Sequence, residues 1–487
     1  MEEKEETKKP ELNEKQKTKL KDKFNIENFL CLFILMCPVL DMVSFLFRNV
    51  FNTNFSPSTF TRPLIPAVLM ICLFFKNGKK FKINSIIVGL IYVIYAIVHI
   101  FLFTKVKSLS SYSNEMHEAQ YLVNYSFMIL NLFVYIYVFK DKNMDKLRKF
   151  MFIASAIYIV SIFIAILTNT SSSTYIEKMG YKGWFESGNS VCAILLLSMF
   201  IYIPLLRDKK YRIWVALNVI LNGIFLTMFV GTRVGLYGFI LVIGLYVITE
   251  IVQEFLKNKK LNKKMTIIGI VAIATIIAGV TIFGSTTLQR RKHLQDIEQN
   301  IVDESKNEQA HITGSLMEIK EKIDNGTLEE GYLNEAQKQS IIDLYNIAND
   351  MNVTNNDQRM QQLIYNIVLV KNQANPMLIV FGNGYMANYR ELVFEMEVPA
   401  ILINFGLMGF VLYLGPFIVI LGYGLYKGIK KFRKIDADYI RLVLGSGFAF
   451  ALSFFSGYTF FSPSTALIIV VLSAILFSKA KNLDKEV

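Results

Sequence analysis

Long apolar runs separated by short polar segments repeat along the 487-residue chain. The hydrocarbon core of a bilayer is roughly 30 Å thick and needs about 20 apolar residues per helix, so each run predicts a membrane-spanning helix. The seventh and eighth runs are divided only by residues 231–233, and the last two only by residues 457–460. The twelve predicted spans are 28–47, 59–75, 83–103, 121–139, 150–168, 188–206, 213–230, 234–249, 265–283, 400–426, 439–457 and 461–477.

Lysine and arginine are distributed unequally between alternate loops. With twelve spans, 34 basic residues fall on the side that carries the N-terminal stretch 1–26, whereas the short loops of the other side hold six. An excess of Lys and Arg marks cytoplasmic loops. Both termini are therefore predicted to be cytoplasmic.

One loop is far longer than a connector. Residues 284–397 lie on the predicted outer side and carry 10 basic and 17 acidic residues. Apolar residues at helical spacing predict helices over 315–324, 333–351 and 357–372. We expect a small helical extracytoplasmic cap that serves either as a docking platform or as a roof over a substrate cleft. The predicted division is a charged tail (1–26), spans one to nine (27–283), the outer loop (284–397), spans ten to twelve (398–478) and a second tail (479–487).

Composition excludes several other classes of protein. Hydrophobic residues make up 53% of the chain and charged residues 19%, which is too apolar for a soluble protein. An aromatic content of 13% excludes a disordered chain, and four cysteines exclude a disulfide scaffold. The net charge of +13 follows from the cytoplasmic loops, so no nucleic-acid partner is expected. The expected fold is an all-α polytopic membrane protein.

Arginines near the outer ends of the spans are candidates for binding an anion. Arg233 lies between glycines in the sequence GTRVG, Arg290 and Arg291 follow span nine, and Arg359 begins the last helix of the loop. Each alone has an alternative role as an interfacial anchor or a solvated charge. Together they are suited to gripping a phosphate or pyrophosphate, because the guanidinium fork binds such groups in a bidentate manner.

Charged residues inside spans are costly and are functional candidates by default. Asp41 and Arg62 lie in the first two spans, where pairing within the bundle and a functional role are both open. A general base is sought at Glu395 or Glu397, just before span ten, where burial would favour proton transfer. The alternative is a solvated carboxylate at a helix start.

The remaining motifs are weaker. The four histidines (His99, His117, His293, His311) have no metal-ligand spacing, and nucleotide-binding and zinc motifs are missing from the sequence. No metal site and no cofactor are therefore expected. Two glycine-rich turns, 182–189 and 381–385, carry Trp184 and Tyr385. These aromatic rings are suited to stacking on sugars or to the interfacial aromatic belt.

Several motifs in order resemble the O-antigen ligase and polymerase superfamily of bacterial envelopes. They are GWFESGN before span six, GTRVG between spans seven and eight, the long loop after span nine with Arg359 opening its last helix, FGNGY, and EMEVPAILINFGLMG leading into span ten. The resemblance covers most of residues 30–480 and implies a fold similar to that of GT-C-type membrane glycosyltransferases.

The resemblance also implies a chemistry. It implies glycosyl transfer at the outer face of the bacterial cytoplasmic membrane, from a glycan on a polyprenyl pyrophosphate to an acceptor glycan, with inversion and without a metal. The family's arginines grip the pyrophosphate, and Arg233, Arg290 or Arg291, and Arg359 stand at matching places. Ligases of this superfamily often carry a histidine where this chain has Glu395 and Glu397. This difference favours a polymerase of a capsular, cell-wall or similar polysaccharide.

Two other classes of function remain open. Twelve spans with both ends inside also suit a transporter or flippase for a lipid-linked glycan, although the two halves show no repeat. A scaffold that assembles with other polysaccharide-synthesis proteins is the third possibility.

Overall fold

The computed structural model describes residues 25–483, apart from 54–55, 104–114, 176–177, 259–284, 294, 296–314, 329, 331–332, 334, 352–357, 386–393 and 458. Helices dominate this part of the chain. In chain order they are α1 (Ile26–Asn49), α2 (Pro57–Lys76), α3 (Lys79–Phe101), α4 (Glu115–Phe139), α5 (Asp145–Leu167), α6 (Gly188–Tyr202), α7 (Arg212–Ile224), α8 (Arg233–Asn258), α9 (Ser315–Asp324), α10 (Glu335–Asp350), α11 (Gln358–Gln373), α12 (Met377–Phe381), α13 (Glu397–Tyr413), α14 (Gly415–Lys430), α15 (Ala437–Phe455) and α16 (Pro463–Asn482).

Short elements complete the described fold. A 3₁₀ turn, Ile203–Arg207, extends α6, a π turn, Phe225–Phe229, extends α7, and a 3₁₀ turn, Phe432–Lys434, precedes α15. The connection between α5 and α6 contains a small antiparallel hairpin of β1 (Ser172–Ser173) and β2 (Tyr181–Gly183). This hairpin was not predicted, because two strands of two and three residues are too short to show an alternating pattern.

The predicted fold class is confirmed. Nine of the described helices are long and apolar enough to cross a membrane: α1, α3, α4, α5, α6, α7, α8, α15 and α16. The pair α13 and α14, which bends by 46°, adds a tenth if it is one span. Helix α2 fills the second predicted span but is not among these ten. The ninth predicted span, 265–283, lies outside the described residues.

Helix α16 is central to the bundle. It packs against α1, α4, α6, α14 and α15, and 83% of its apolar stretch is buried. A helix that is apolar on all sides is expected in the interior of a bundle. Helix α3 is peripheral, with only 11% of its apolar stretch buried. The bundle therefore surrounds α16 and exposes α3 to the surroundings.

The helices predicted within the long loop are present. Helices α9, α10 and α11 lie within one or two residues of the predicted bounds. Ile341 and Leu344 on α10 are fully buried. They form a small core with Phe103, at the end of α3, and with Tyr365 on α11. The loop helices thus have their own core, joined to the bundle through α3.

Helix α13 is broken at Gly406, whose φ of 68° and ψ of −176° lie outside the helical region. The break frees the carbonyl oxygens of Ile403 and Asn404. These accept hydrogen bonds from the backbone N–H groups of Asn383 (2.8 Å) and Gly384 (2.9 Å). The two sequence motifs FGNGY and INFGLMG are therefore joined by their backbones.

Replacing Gly382 by alanine is expected to destabilise this junction. Gly382 has a φ of 85°, and a Cβ atom there would lie 2.1 Å from the carbonyl oxygen of Asn404. Because backbone atoms cannot move aside cheaply, we expect Gly382→Ala to lower the free energy of unfolding by about 2–3 kcal/mol. Chemical unfolding of the detergent-solubilised protein measures the loss.

Gly89→Ala is the matched control for this substitution. Gly89 lies in the exposed part of α3, and a Cβ atom there would meet no atom within 4 Å. Alanine is the better helix former by up to about 1 kcal/mol, so this variant should be unchanged or slightly more stable. Equal stabilities of the two variants would contradict the role given to Gly382.

Candidate functional site

A polar cavity of about 650 Å³ opens between α1, α2, α4, α6 and the hairpin connection. Hydroxyl, amide and charged side chains line much of its wall, in contrast to the apolar bundle around it. Its charged lining residues are Asp41, Arg48, Arg62, Lys182 and Glu186. Pockets that bind small ligands span roughly 300–1,000 Å³. This cavity is therefore large enough for a sugar-sized polar ligand.

Tyr175 and Arg290 form a cation–π stack beside this cavity. Tyr175 lines the cavity, and the Arg290 guanidinium carbon lies 3.4 Å from the centroid of its ring. The Arg290 Nε atom is buried and finds no hydrogen-bond partner among the described residues. Stacking on an aromatic face fixes the plane of a guanidinium but leaves its N–H edge available. Arg290 is thus oriented and has spare donor capacity.

The segment that carries Arg290 is anchored by hydroxyl groups. Ser285 Oγ donates to the carbonyl of Thr227 (2.6 Å), and Thr286 Oγ1 donates to the carbonyl of Met228 (2.6 Å). Both carbonyls belong to the π turn after α7. Such a turn leaves backbone carbonyls without regular helical partners. Residues 286–293 form a short helix that carries Arg290, and the sequence STT at 285–287 attaches its first turn to the end of α7.

Gly231 allows the close approach of these segments. Its φ is 78°, and a Cβ atom there would lie 3.2 Å from Thr286 Cγ2 and 3.5 Å from the ring of Tyr175. Gly231, the first glycine of GTRVG, thus lies at a close contact between these segments.

Three of the predicted arginines act on the same phenol. Burial raises the pKa of the Tyr175 hydroxyl. Three positive charges oppose that rise, and they belong to Arg290, Arg233 and Arg359. The positive charges of these three arginines thus favour the ionised form of this hydroxyl. Arg291, the residue after Arg290, is exposed.

Arg359 also links three elements. Its Nε–H donates to the Glu395 carboxylate (3.0 Å), and its Nη1–H donates to the Phe455 carbonyl at the end of α15 (2.6 Å). Both side chains of the ion pair are partly exposed. Arg359 therefore joins the last loop helix to the membrane bundle, and Glu395 is its ionic partner.

Glu397, the first residue of α13, is only 4% exposed. Its carboxylate accepts three backbone N–H groups of one turn and one hydroxyl. The donors are Thr459 N (2.7 Å), Phe460 N (2.6 Å), Phe461 N (2.9 Å) and Ser453 Oγ (3.1 Å). Successive backbone N–H groups of this kind form an anion-binding concavity. Here the Glu397 carboxylate occupies this concavity and stabilises the turn between α15 and α16.

Tyr385 lies in an aromatic cluster that also reaches Glu395. Its ring stacks on Tyr121 with centroids 4.2 Å apart, and its backbone N–H donates to Glu118 Oε2 (2.7 Å). A small cavity of about 40 Å³ touches Tyr385, Glu395 and Glu397. Tyr385 is therefore placed with the predicted carboxylates and does not line the large cavity.

Trp184 lies beside the large cavity but does not line it. Its Nε1–H donates to Thr170 Oγ1 (2.9 Å). Its neighbours in the glycine-rich turn do line the cavity, among them Phe185 and Asn189. Lys182 donates to the backbone carbonyl of Glu186 (2.8 Å), and burial lowers the pKa of its amine. The turn thus forms one wall of the cavity, as a glycine-rich segment allows.

The two charges predicted inside the first spans are paired. Arg62 Nη2 lies 2.6 Å from Asp41 Oδ1 and also donates to the Cys37 carbonyl (3.2 Å). Both side chains of the pair line the cavity. The pairing within the bundle that the sequence left open is therefore present, and the pair also faces a pocket.

A buried histidine–carboxylate pair was missed by the sequence analysis. His99 Nε2 lies 2.5 Å from Glu118 Oε1, His99 Nδ1 lies 2.6 Å from the Phe381 carbonyl, and both side chains are fully buried. Glu118 also accepts the Tyr385 N–H, so the pair supports both ends of FGNGY. The sequence did carry one indication of this pair: His99 lies inside an apolar run, where a histidine needs a polar partner.

Among the residues that the structure describes, no group of three or more His, Cys, Asp or Glu side chains is placed to hold a metal ion.

Comparison with known proteins identifies the family of the chain. No curated protein matches it. A family model described as "O-antigen ligase like membrane protein" matches residues 21–483, which is nearly the whole chain and includes every element described above. The chain therefore belongs to the family of O-antigen ligase-like membrane proteins, and this membership implies a membrane enzyme that transfers glycans in polysaccharide assembly.

Proposed function

We propose that the chain is a polysaccharide polymerase or ligase that transfers a glycan from a polyprenyl-pyrophosphate carrier to a sugar hydroxyl of an acceptor glycan. The carrier pyrophosphate is the leaving group, and the sugar carbon that bears it is inverted. Pyrophosphate already leaves as a stable anion, so the reaction needs stabilisation of its charge and removal of one proton from the acceptor. We assign no metal or cofactor to it.

The observation that carries this proposal is an oriented arginine beside the cavity. Arg290 stacks on Tyr175 and keeps a buried Nε–H without a partner among the described residues, and we add Arg233 and Arg359 to the same anion site. Arginine stays protonated at any working pH, so it stabilises an anion but is a poor base. Groups aimed at a developing charge supply a large share of enzymatic rate enhancement. We therefore assign the arginines to the pyrophosphate and the polar cavity to the sugars.

We place the reaction on the outer face of a bacterial cytoplasmic membrane. The support is the alternation of basic residues, which assigns the ends of the spans next to the cavity to the side that is poor in lysine and arginine. Both termini are cytoplasmic in this arrangement.

Carboxylates at Glu395 and Glu397, where ligases of the superfamily often have histidine, favour a polymerase. The helices of the long loop are then the candidate roof of the site. Trp184 beside the large cavity and Tyr385 at the small cavity are candidate sugar-stacking rings.

Transfer in detergent micelles tests the enzyme against the flippase. A micelle does not have two leaflets, so a flippase cannot translocate a lipid in it and would show no activity in this assay. We expect the purified protein to lengthen the glycan of a lipid-linked repeat unit and to release polyprenyl pyrophosphate, followed on a gel and by thin-layer chromatography. Arg233→Met should lower the rate by roughly 10- to 100-fold, because it removes one charge from the site.

Arg433→Met is the matched control, since Arg433 is an exposed arginine on the 3₁₀ turn before α15. It should stay within about threefold of the wild type, as is usual for surface substitutions. Absence of transfer in micelles, together with translocation of the lipid-linked unit in proteoliposomes, would establish the flippase. Absence of both activities would leave the scaffold.

A further inference from the structure

Asp41 is the carboxylate that the structure holds most firmly at the wall of the large cavity. It comes from α1 and retains 21% side-chain exposure. Three donors from three other helices fix it: Arg62 Nη2 (2.6 Å, to Oδ1), Tyr158 Oη (2.5 Å, to Oδ2) and Ser464 Oγ (2.6 Å, to Oδ2). The position of this carboxylate is therefore determined by α2, α5 and α16 together.

The hydrogen-bonding capacity of Asp41 is not exhausted. A carboxylate has about four lone-pair sites, and the described donors use three of those on Asp41. Glu397 accepts four described donors, so its capacity is filled, and it is only 4% exposed. Asp41 therefore has room for one further donor from the cavity, whereas Glu397 does not.

Two other carboxylates, Glu395 and Glu186, are less suited to receive a proton in the large cavity. Glu395 is paired with Arg359 and lines the separate cavity of about 40 Å³. Glu186 does line the large cavity, but it pairs with Arg48 at 2.8 Å and 47% of its side chain is exposed. An exposed ion pair is weakly held. Among these carboxylates Asp41 combines access to the cavity with a fixed position.

The surroundings of Asp41 suit a sugar. Ser44, Ser56 and Ser58 line the same cavity and bond to one another at 2.8–3.0 Å. Hydroxyl groups that both donate and accept match the hydroxyl groups of a carbohydrate. Asp41 therefore lies in the part of the wall where an acceptor sugar finds hydrogen-bonding partners.

We propose that Asp41 is the catalytic carboxylate that receives the proton of the acceptor hydroxyl, an assignment that rests on the proposed glycosyl transfer. The acceptor oxygen forms a bond to the sugar carbon of the donor as its O–H bond breaks. The bond from that carbon to the pyrophosphate oxygen breaks, and its electron pair leaves with the pyrophosphate. The proton passes to Asp41 and then to water. Arg62, Tyr158 and Ser464 are positioning residues that hold the carboxylate.

The test separates binding of the donor from its reaction. Asp41→Asn keeps the shape of the side chain but removes its basicity, so we expect transfer to fall by at least about 100-fold. Binding of the lipid-linked repeat unit, measured by microscale thermophoresis in micelles, should stay within about threefold. Asp208→Asn, which alters an exposed carboxylate outside the cavity, should keep most of the activity. Unchanged transfer in Asp41→Asn, or an equal loss in Asp208→Asn, would overturn the assignment.

A second variant controls for misfolding, because Asp41→Asn leaves the buried Arg62 without its ionic partner. The double variant Asp41→Asn/Arg62→Gln removes both charges and with them the unpaired guanidinium. We expect it to show the wild-type thermal transition within a few degrees and to remain inactive in transfer. Recovery of transfer in the double variant would overturn the proposal.

The outcome for the wild-type protein is separate from the outcomes for the variants. A wild-type protein that transfers nothing would instead refute the proposed function, so the two failures are distinguishable.

Discussion

Arg290→Met will reduce glycan transfer by roughly 100- to 1,000-fold while leaving the fold intact, as expected when one preorganised donor to a developing anion is removed. Arg290 stacks on Tyr175 at 3.4 Å and keeps a buried Nε–H without a partner among the described residues. Its side chain is thus held in place before any substrate arrives. Initial rates of polyprenyl pyrophosphate release from the lipid-linked repeat unit measure the loss.

Two further substitutions show whether the loss reflects geometry or charge. Arg290→Lys keeps the charge but not the planar fork or the stacking, so it should recover only a small part of the activity. Lys292→Met removes an exposed positive charge two residues away and should stay within about threefold of the wild type. A larger loss in Arg291→Met than in Arg290→Met would move the anion site to the exposed face of this helix.

The fold was predictable where the signal is local. Apolar runs of the right length predicted the helices that the structure describes, because a bilayer requires long apolar segments. The break in α13 was not predictable in the same way. Residues 400–426 were predicted as one span, and the interruption at Gly406 is accompanied by hydrogen bonds from two backbone donors, Asn383 and Gly384. Contacts between motifs that are distant in sequence leave little trace in either motif alone.

The site was predictable by residue class but not by partner. Arginines at span ends were recognised as anion-binding candidates; that role remains a prediction, and Arg290 stacks on Tyr175. Tyr175 itself carried no signal, because a single tyrosine in a loop has no pattern. Glu118 was missed because the fourth span was predicted to begin at residue 121, whereas α4 begins at Glu115. A boundary error of a few residues thus hid a buried carboxylate and its bond to His99.

The predicted carboxylates at the start of α13 have different surroundings. Glu395 is partly exposed and pairs with Arg359, whereas Glu397 is buried and surrounded by donors. Their catalytic role remains a prediction, and the geometry around Glu397 provides a structural role that can be measured independently. Because it joins α13 to the turn before α16, the central helix, its effect should reach the whole bundle.

Glu397→Ala is expected to lower the free energy of unfolding by about 3–5 kcal/mol, the range found when one partner of a buried charged network is removed. The backbone N–H groups of Thr459, Phe460 and Phe461 would lose their acceptor inside the bundle, and each unsatisfied donor costs about 1–3 kcal/mol. Chemical unfolding in detergent measures the loss, and hydrogen exchange at these three amides should accelerate.

Glu395→Gln is the matched comparison, because it alters a carboxylate two residues away that forms a partly exposed ion pair. Such pairs contribute about 0–1 kcal/mol, so its stability should hardly change.

If Glu397→Gln instead keeps wild-type stability and slow exchange at residues 459–461 but loses transfer, then Glu397 acts in the reaction. In that event the base belongs at α13, and Asp41 holds the acceptor without receiving its proton. If Glu397→Gln loses stability, and its remaining folded fraction transfers normally, the carboxylate serves the turn, and the proton acceptor lies in the large cavity.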